Sequence, residues 1–103
     1  MKLLTLSLLL LCSGCASGLC QLNASIQQAR LERVGLPSRV GVVQNGRGYH
    51  SVVVWRAVSG TCYFWDGKLS YQYVGRPEEA IPDIMHLASG RQYQWVRWET
   101  EAK

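Results

Sequence analysis

Three side chains that together could carry out nucleophilic chemistry are spread along this chain: Cys20, His50 and Asp66. A thiol in the first turn of a helix faces unpaired backbone N–H groups and the positive end of the helix dipole, and both stabilise the thiolate. A neighbouring imidazole favours the thiolate further and donates a proton to the leaving group, while a carboxylate behind the imidazole sets its tautomer. The residue types therefore predict a Cys-His-Asp site for acyl transfer.

Each of these residues also has a structural interpretation, and the residues alone leave the choice open. Cys20 could form a disulfide with Cys62, since exported proteins meet an oxidising compartment. His50 could be an ordinary histidine at the start of a strand, and Asp66-Gly67 is a common turn sequence. Because His50 and Asp66 are an even number of residues apart, they share a sheet face only if the loop between their strands has an odd number of residues.

The segments that must position these residues are a helix followed by a β-meander. Residues 20–34 contain no glycine or proline and predict a helix, which Gly35 and Pro37 end. From residue 39 onward the pattern is β. The turn signals between the β segments are Asn45-Gly46, Ser59-Gly60 and Asp66-Gly67.

After the meander, the sequence predicts a short second helix over residues 78–88, limited by Pro82, and a last strand over residues 91–99. The first helix has apolar residues on two sides at about 100° per residue. One stripe consists of Cys20, Ala24, Leu31 and Val34. The other consists of Leu22, Ile26 and Ala29. Two stripes predict a helix that is sandwiched between other elements.

Residues 1–19 have the features of a signal peptide. Lys2 is followed by residues 3–11, which are mostly leucine, and this run is too short for a membrane-spanning helix of about 20 residues. Ser13-Gly14-Cys15 resembles the end of a bacterial lipobox, which predicts cleavage before Cys15 and lipidation of its thiol. Ordinary signal peptidase would instead cut after Ala16 or Gly18. Both routes predict export, and an uncleaved anchor is the third alternative.

Composition limits what the remaining chain can be. The 103 residues are 48% hydrophobic with 17% charged, so residues 20–103 predict one small domain. The net charge of +4 comes from basic residues that occur singly, which gives no support for nucleic-acid binding. We find no metal-ligand or nucleotide-binding motif and therefore expect neither a metal nor another cofactor.

These residues resemble the core of the transglutaminase-like superfamily, which has a papain-like fold. In that family the nucleophilic Cys opens a helix that ends in a Gly-Ile-Pro-Ala-Arg-Val type of sequence, matched here by Cys20 and residues 35–40, GLPSRV. The family's His-Ala-apolar strand is matched by residues 50–54, HSVVV, and its Asp by Asp66. The tail is similar to that of bacterial periplasmic transglutaminase-like cysteine proteinases.

The resemblance implies a minimal papain-like α+β core in which the first helix packs on an antiparallel β-meander, followed by a short second helix and a last strand. It also implies an exported, membrane-anchored peptidase or amidase of the periplasm or outer membrane. Cys20 would form a thioester with a peptide or protein substrate, His50 would act as base and acid, and Asp66 would orient His50. The alternative is a non-catalytic envelope lipoprotein, a binding or structural module on a degenerate form of the same fold, because the signal peptide stands where the family has substrate-binding structure.

Overall fold

The computed structural model of this chain describes residues 18–99, with side chains from residue 22 onward. Within this range the fold is α+β, as predicted, with two helices and a five-stranded antiparallel sheet. The elements in chain order are α1 Gly18–Arg33, β1 Ser38–Asn45, β2 Gly48–Arg56, β3 Cys62–Trp65, β4 Ser70–Tyr73, α2 Pro77–Ser89 and β5 Gln94–Trp98. The predicted packing of the first helix on a β-meander is confirmed.

The sheet has the strand order β4-β3-β2-β1-β5. Strands β1 to β4 form the meander, and β5 returns after α2 to pair with the free edge of β1. Strand β2 is therefore central, and it carries His50 opposite Val43 of β1. The pairing of Arg56 with Cys62 leaves residues 57–61 as the β2–β3 loop, which has an odd number of residues.

One face of the sheet packs against α2. Its buried cluster joins sheet residues to the helix, and its members are Val43, Val52, Val54, Phe64, Tyr73, Ile81 and Met85. Helix α2 begins with Pro77 in its first turn, where a backbone N–H has no acceptor within the helix and its absence costs nothing. Gly90 ends the helix in the left-handed conformation, with φ of 80°. The helix predicted over residues 78–88 is present with one more residue at each end, and it runs through Pro82, which is buried.

The opposite face of the sheet packs against α1. Ala24 and Leu31 of α1 form a buried cluster with Val40 and Val53. The predicted sandwich is wrong for the other stripe, because Leu22 and Ile26 are 55% and 45% exposed. No element of the described chain covers that side of α1, so the helix lies on the sheet with one apolar side exposed.

Candidate functional site

The side chain of His50 lies at the start of β2, on the α2 face of the sheet. Its neighbour Val43 on β1 and the next residue on the same side of β2, Val52, both belong to the α2-facing cluster. The imidazole is half-buried, and its ring centroid lies 6.5 Å from that of Tyr93, which precedes β5. The strand alternation therefore sets the direction of His50.

His50 contacts Asp66 through the backbone of Asp66. Nε2 of His50 lies 2.7 Å from the carbonyl oxygen of Asp66. Because a carbonyl oxygen only accepts, Nε2 carries the proton and donates it, which leaves Nδ1 as the nitrogen with a free lone pair in the neutral ring. The structure thus brings together two of the three predicted site residues, as the odd loop length allows.

The carboxylate of Asp66 contacts its own turn and not the imidazole of His50. Its Oδ1 accepts hydrogen bonds from the backbone N–H groups of Lys68 and Leu69, both at 2.9 Å. The N–H of Asp66 in turn donates to the carbonyl of Leu69, which closes the connection between β3 and β4. This is the turn interpretation of Asp66-Gly67, and the same turn holds the Asp66 carbonyl against His50.

Tyr71 completes the surroundings of Asp66. Burial, followed by the nearby Asp66 carboxylate, raises the pKa of the Tyr71 hydroxyl. The Tyr71 ring stacks on Phe64 at a centroid distance of 5.1 Å, which fixes it to the sheet. The carboxylate is therefore placed among turn amides and a tyrosine.

The sheet separates His50 from the helix that carries the predicted nucleophile. On β2, Val53 packs against α1, whereas Val52 and Val54 pack against α2. His50 is an even number of residues from Val52 and Val54, so its side chain lies on their face and not on that of α1. Helix α1 and the imidazole of His50 are on opposite faces of the sheet.

Cys20 lies in the first turn of α1, since the helix runs from Gly18 to Arg33. Its side chain lies outside the described residues, so the predicted contact between its thiol and His50 stays a prediction. The predicted lipid site, Cys15, also lies outside the described residues, as does most of the predicted signal peptide, although its last two residues belong to α1.

The fourth cysteine, Cys62, is a free thiol at the start of β3. Its cross-strand partner is Tyr73, a member of the α2-facing cluster, so the thiol is on the α2 side. A disulfide with Cys20 would have to join the two faces of the sheet. The structure describes no such bond at Cys62.

Comparison with protein-family models, curated proteins and solved structures finds no significant match for this chain. The site must therefore be interpreted from its own geometry. Among the residues described with side chains, no group of three His, Cys, Asp or Glu residues is placed to hold a metal ion. None of the described helices is both long and apolar enough to cross a bilayer.

A polar cluster that the sequence analysis did not predict joins β1, β5 and the start of α2. The guanidinium carbon of Arg39 lies 3.8 Å from the centroid of the Trp98 ring, and Nε1 of Trp98 donates to Glu78 at 3.0 Å. The carboxylate's own backbone N–H, then the Trp98 indole, lower the pKa of Glu78. The only sequence signal was an acidic pair directly after Pro77, which is typical of a helix start.

A shallow hollow of about 380 Å³ lies beside α2. Its lining residues are Val74, Gly75, Arg76, Glu79, Ala80, Asp83 and Ile84. It holds no histidine or cysteine and lies away from the His50–Asp66 contact, so it adds no group suited to nucleophilic catalysis.

Proposed function

We propose that this chain is an exported, lipid-anchored, non-catalytic module of a bacterial cell envelope, with a binding or structural role. The observation that carries the proposal is the placement of His50 on the sheet face opposite α1. A thiol-imidazole pair works only within hydrogen-bond reach, about 3 Å between heavy atoms. We infer that a nucleophile on α1 does not come within this distance of a base on the α2 face, because the sheet lies between the helix and the imidazole.

The use of Asp66 supports the same proposal. In a catalytic triad the carboxylate accepts from the imidazole and stabilises its charged form. Here the carboxylate accepts from the amides of Lys68 and Leu69, and the imidazole donates to a neutral carbonyl. His50 and Asp66 therefore form a contact that fixes the β3–β4 turn to β2.

In this proposal, the chain retains the fold of the transglutaminase-like superfamily, which its sequence resembles, but has lost the catalytic arrangement. The competing hypothesis, a cysteine peptidase or amidase acting through Cys20, needs the thiol to reach His50 around the end of the sheet. Strand β2 is the third of five strands and His50 lies near its start, so this contact would have to pass the ends of the strands and not a sheet edge.

Thiol labelling of the full exported protein tests the proposal. We expect Cys20 to react with iodoacetamide at neutral pH at the rate of an ordinary thiol, and His50→Ala to leave that rate unchanged. His86→Ala is the matched control, because His86 is the other histidine and lies on α2. Fast labelling of Cys20 that falls about tenfold or more in His50→Ala, but not in His86→Ala, would establish the thiol-imidazole pair and overturn the proposal.

The anchor has its own test. Mass spectrometry of the mature N-terminus should find an acylated Cys15 as the first residue. An unmodified N-terminus after Ala16 or Gly18 would show ordinary secretion and remove the anchor from the proposal. The two measurements are independent, because one reports on Cys20 and the other on the processing site.

A further inference from the structure

The outer side of α1 is apolar in the middle of the helix. Leu22 and Ile26 are one helical turn apart and are 55% and 45% exposed, and Ala29 is exposed beside them. At about 100° per residue these three side chains fall within about 60° of one another. They point away from Ala24 and Leu31, which pack on the sheet. We call Leu22, Ile26 and Ala29 the outer stripe.

The outer stripe differs from the other exposed apolar residues of the described chain. Val58, Leu69 and Val74 lie in connecting segments, and Leu87 is the one large exposed apolar residue on α2. Single exposed apolar residues are ordinary in folded proteins. Two large ones on one helix side, with a small one beside them, form a surface that burial would stabilise.

The chain before α1 indicates what covers the outer stripe. Cys15 is three residues before Gly18, where the helix begins, and a fully extended connection of that length spans only about 10 Å. An acyl chain on Cys15 therefore holds the first turns of α1 at the bilayer surface. Because tethering makes the contact intramolecular, two large apolar side chains are enough to favour one orientation.

Basic residues complete the surface. Arg30 and Arg33 are exposed in the last turn of α1, and neither belongs to the ion pairs found in the described residues. Arg33 lies at about 20° from Leu22 around the helix, on the side of the outer stripe. Long arginine side chains can reach lipid phosphates while their stems lie over apolar surface.

We propose that the outer stripe of α1 lies on an anionic phospholipid bilayer, with Arg30 and Arg33 contacting the headgroups. In this orientation α1 lies between the bilayer and the sheet, and α2 faces away from the membrane. This rests on the proposed function for the acyl anchor at Cys15. It goes beyond that function by assigning a membrane-contacting surface and an orientation to the folded domain.

The test uses the full-length mature protein in vesicles of phosphatidylethanolamine and phosphatidylglycerol, with Cys20 and Cys62 replaced by Ser. An environment-sensitive fluorophore is attached at Ala29→Cys, which keeps Leu22 and Ile26 intact. The matched control carries the same fluorophore at Ala88→Cys, because Ala88 is an exposed alanine on α2, on the other side of the sheet. Emission wavelength and quenching by aqueous iodide are measured with and without vesicles.

We expect vesicles to shift the emission at position 29 to the blue and to reduce its iodide quenching at least threefold, with no change at position 88. Adding Leu22→Gln and Ile26→Gln should abolish the protection at position 29. Protection that is already present without lipid, with protomers cross-linking through position 29, would show that a second copy covers the stripe and would overturn the proposal.

Equal quenching at positions 29 and 88 in vesicles would also overturn it. Flotation of the protein with the vesicles, together with the mass of its N-terminus, reports on the anchor separately. Flotation with an accessible position 29 refutes the orientation and leaves the lipoprotein proposal standing. An unacylated protein refutes the anchor, whereas the label at position 29 still decides whether the stripe contacts lipid.

Discussion

Nε2 of His50 donates a hydrogen bond to the backbone carbonyl of Asp66 at 2.7 Å, while the Asp66 carboxylate accepts from two amides of its own turn. In the sequence, His50 and Asp66 suggest two of the three members of a catalytic triad. In the structure, they form a contact between β2 and the β3–β4 connection. Because the carbonyl belongs to the backbone, substitution of the Asp66 side chain leaves the acceptor of His50 in place.

Asp66→Ala should destabilise the protein by about 1–2 kcal/mol, because two backbone N–H groups lose their acceptor. Asp66→Asn keeps an oxygen at the Oδ1 position and should cost less than half as much. Urea unfolding of both variants measures the difference. Equal losses in the two variants would contradict the role of Oδ1 and point to the negative charge instead.

Gly41→Ala should destabilise the protein by about 1–3 kcal/mol, because a Cβ at position 41 would overlap the ring of Trp95. Gly46→Ala is the control, since a Cβ there meets no atom within 4 Å. Adding Trp95→Leu to Gly41→Ala should recover part of the loss relative to the sum of the single changes. If the two losses are simply additive in urea unfolding, the close approach of Trp95 to Gly41 does not limit this position.

Glu78 should make stability depend on pH in the acid range. Its pKa in the folded protein is lower than its ordinary value of 4.5, so the folded state favours the carboxylate. The resulting stabilisation is present above pH 4.5 and is lost as the pH falls through the lower, folded-state pKa. The difference in free energy of unfolding between the wild type and Glu78→Gln should therefore shrink as the pH is lowered from 6 to about 3.

The control for that measurement is Glu79→Gln, since Glu79 is an exposed carboxylate of the same helix turn with an ion pair at 3.9 Å. Its effect should be smaller at every pH, because exposed pairs contribute little. A pH dependence as large in Glu79→Gln as in Glu78→Gln would show that the hydrogen bond from Trp98 does not distinguish the two carboxylates.

Tyr73 should make stability fall in the alkaline range. Burial, and then the adjacent Cys62 thiol, raise the pKa of Tyr73 from 10.0 to about 12, so the folded state retains the proton longer than the unfolded state. The stabilisation is complete below pH 10 and is lost as the pH rises through about 12. Tyr73→Phe should remove this part of the slope, whereas Tyr49→Phe, at an exposed tyrosine, should keep it in urea unfolding.

Local patterns predicted most of the elements to within two residues. The run without glycine or proline before Gly35 became α1, and the turn signals at Asn45-Gly46 and Asp66-Gly67 lie between paired strands. Helix α2 runs through Pro82 as predicted, although proline disfavours a helix interior locally, and Ile81, Pro82 and Met85 are all buried. Tertiary packing outweighed the local preference.

The candidate site was less predictable, since it depends on which side of the sheet each element lies. Alternation along β2 places His50 with Val52 and Val54, but nothing in the residues states that α1 packs on the Val53 side. The contact between Trp98 and Glu78 likewise joins residues that are distant in sequence and meet only because β5 returns beside β1.

The sequence by itself determined the α+β class and the order of the elements, because periodicity and turn residues are local properties. It left the shared sheet face of His50 and Asp66 open, because the number of residues in the β2–β3 loop follows only from the pairing of Arg56 with Cys62. Only the tertiary structure decided that α1 and His50 lie on opposite faces and that the outer stripe of α1 is uncovered. A helix can pack on either face of a sheet, and the choice depends on the summed burial of residues such as Ala24, Leu31 and Val53.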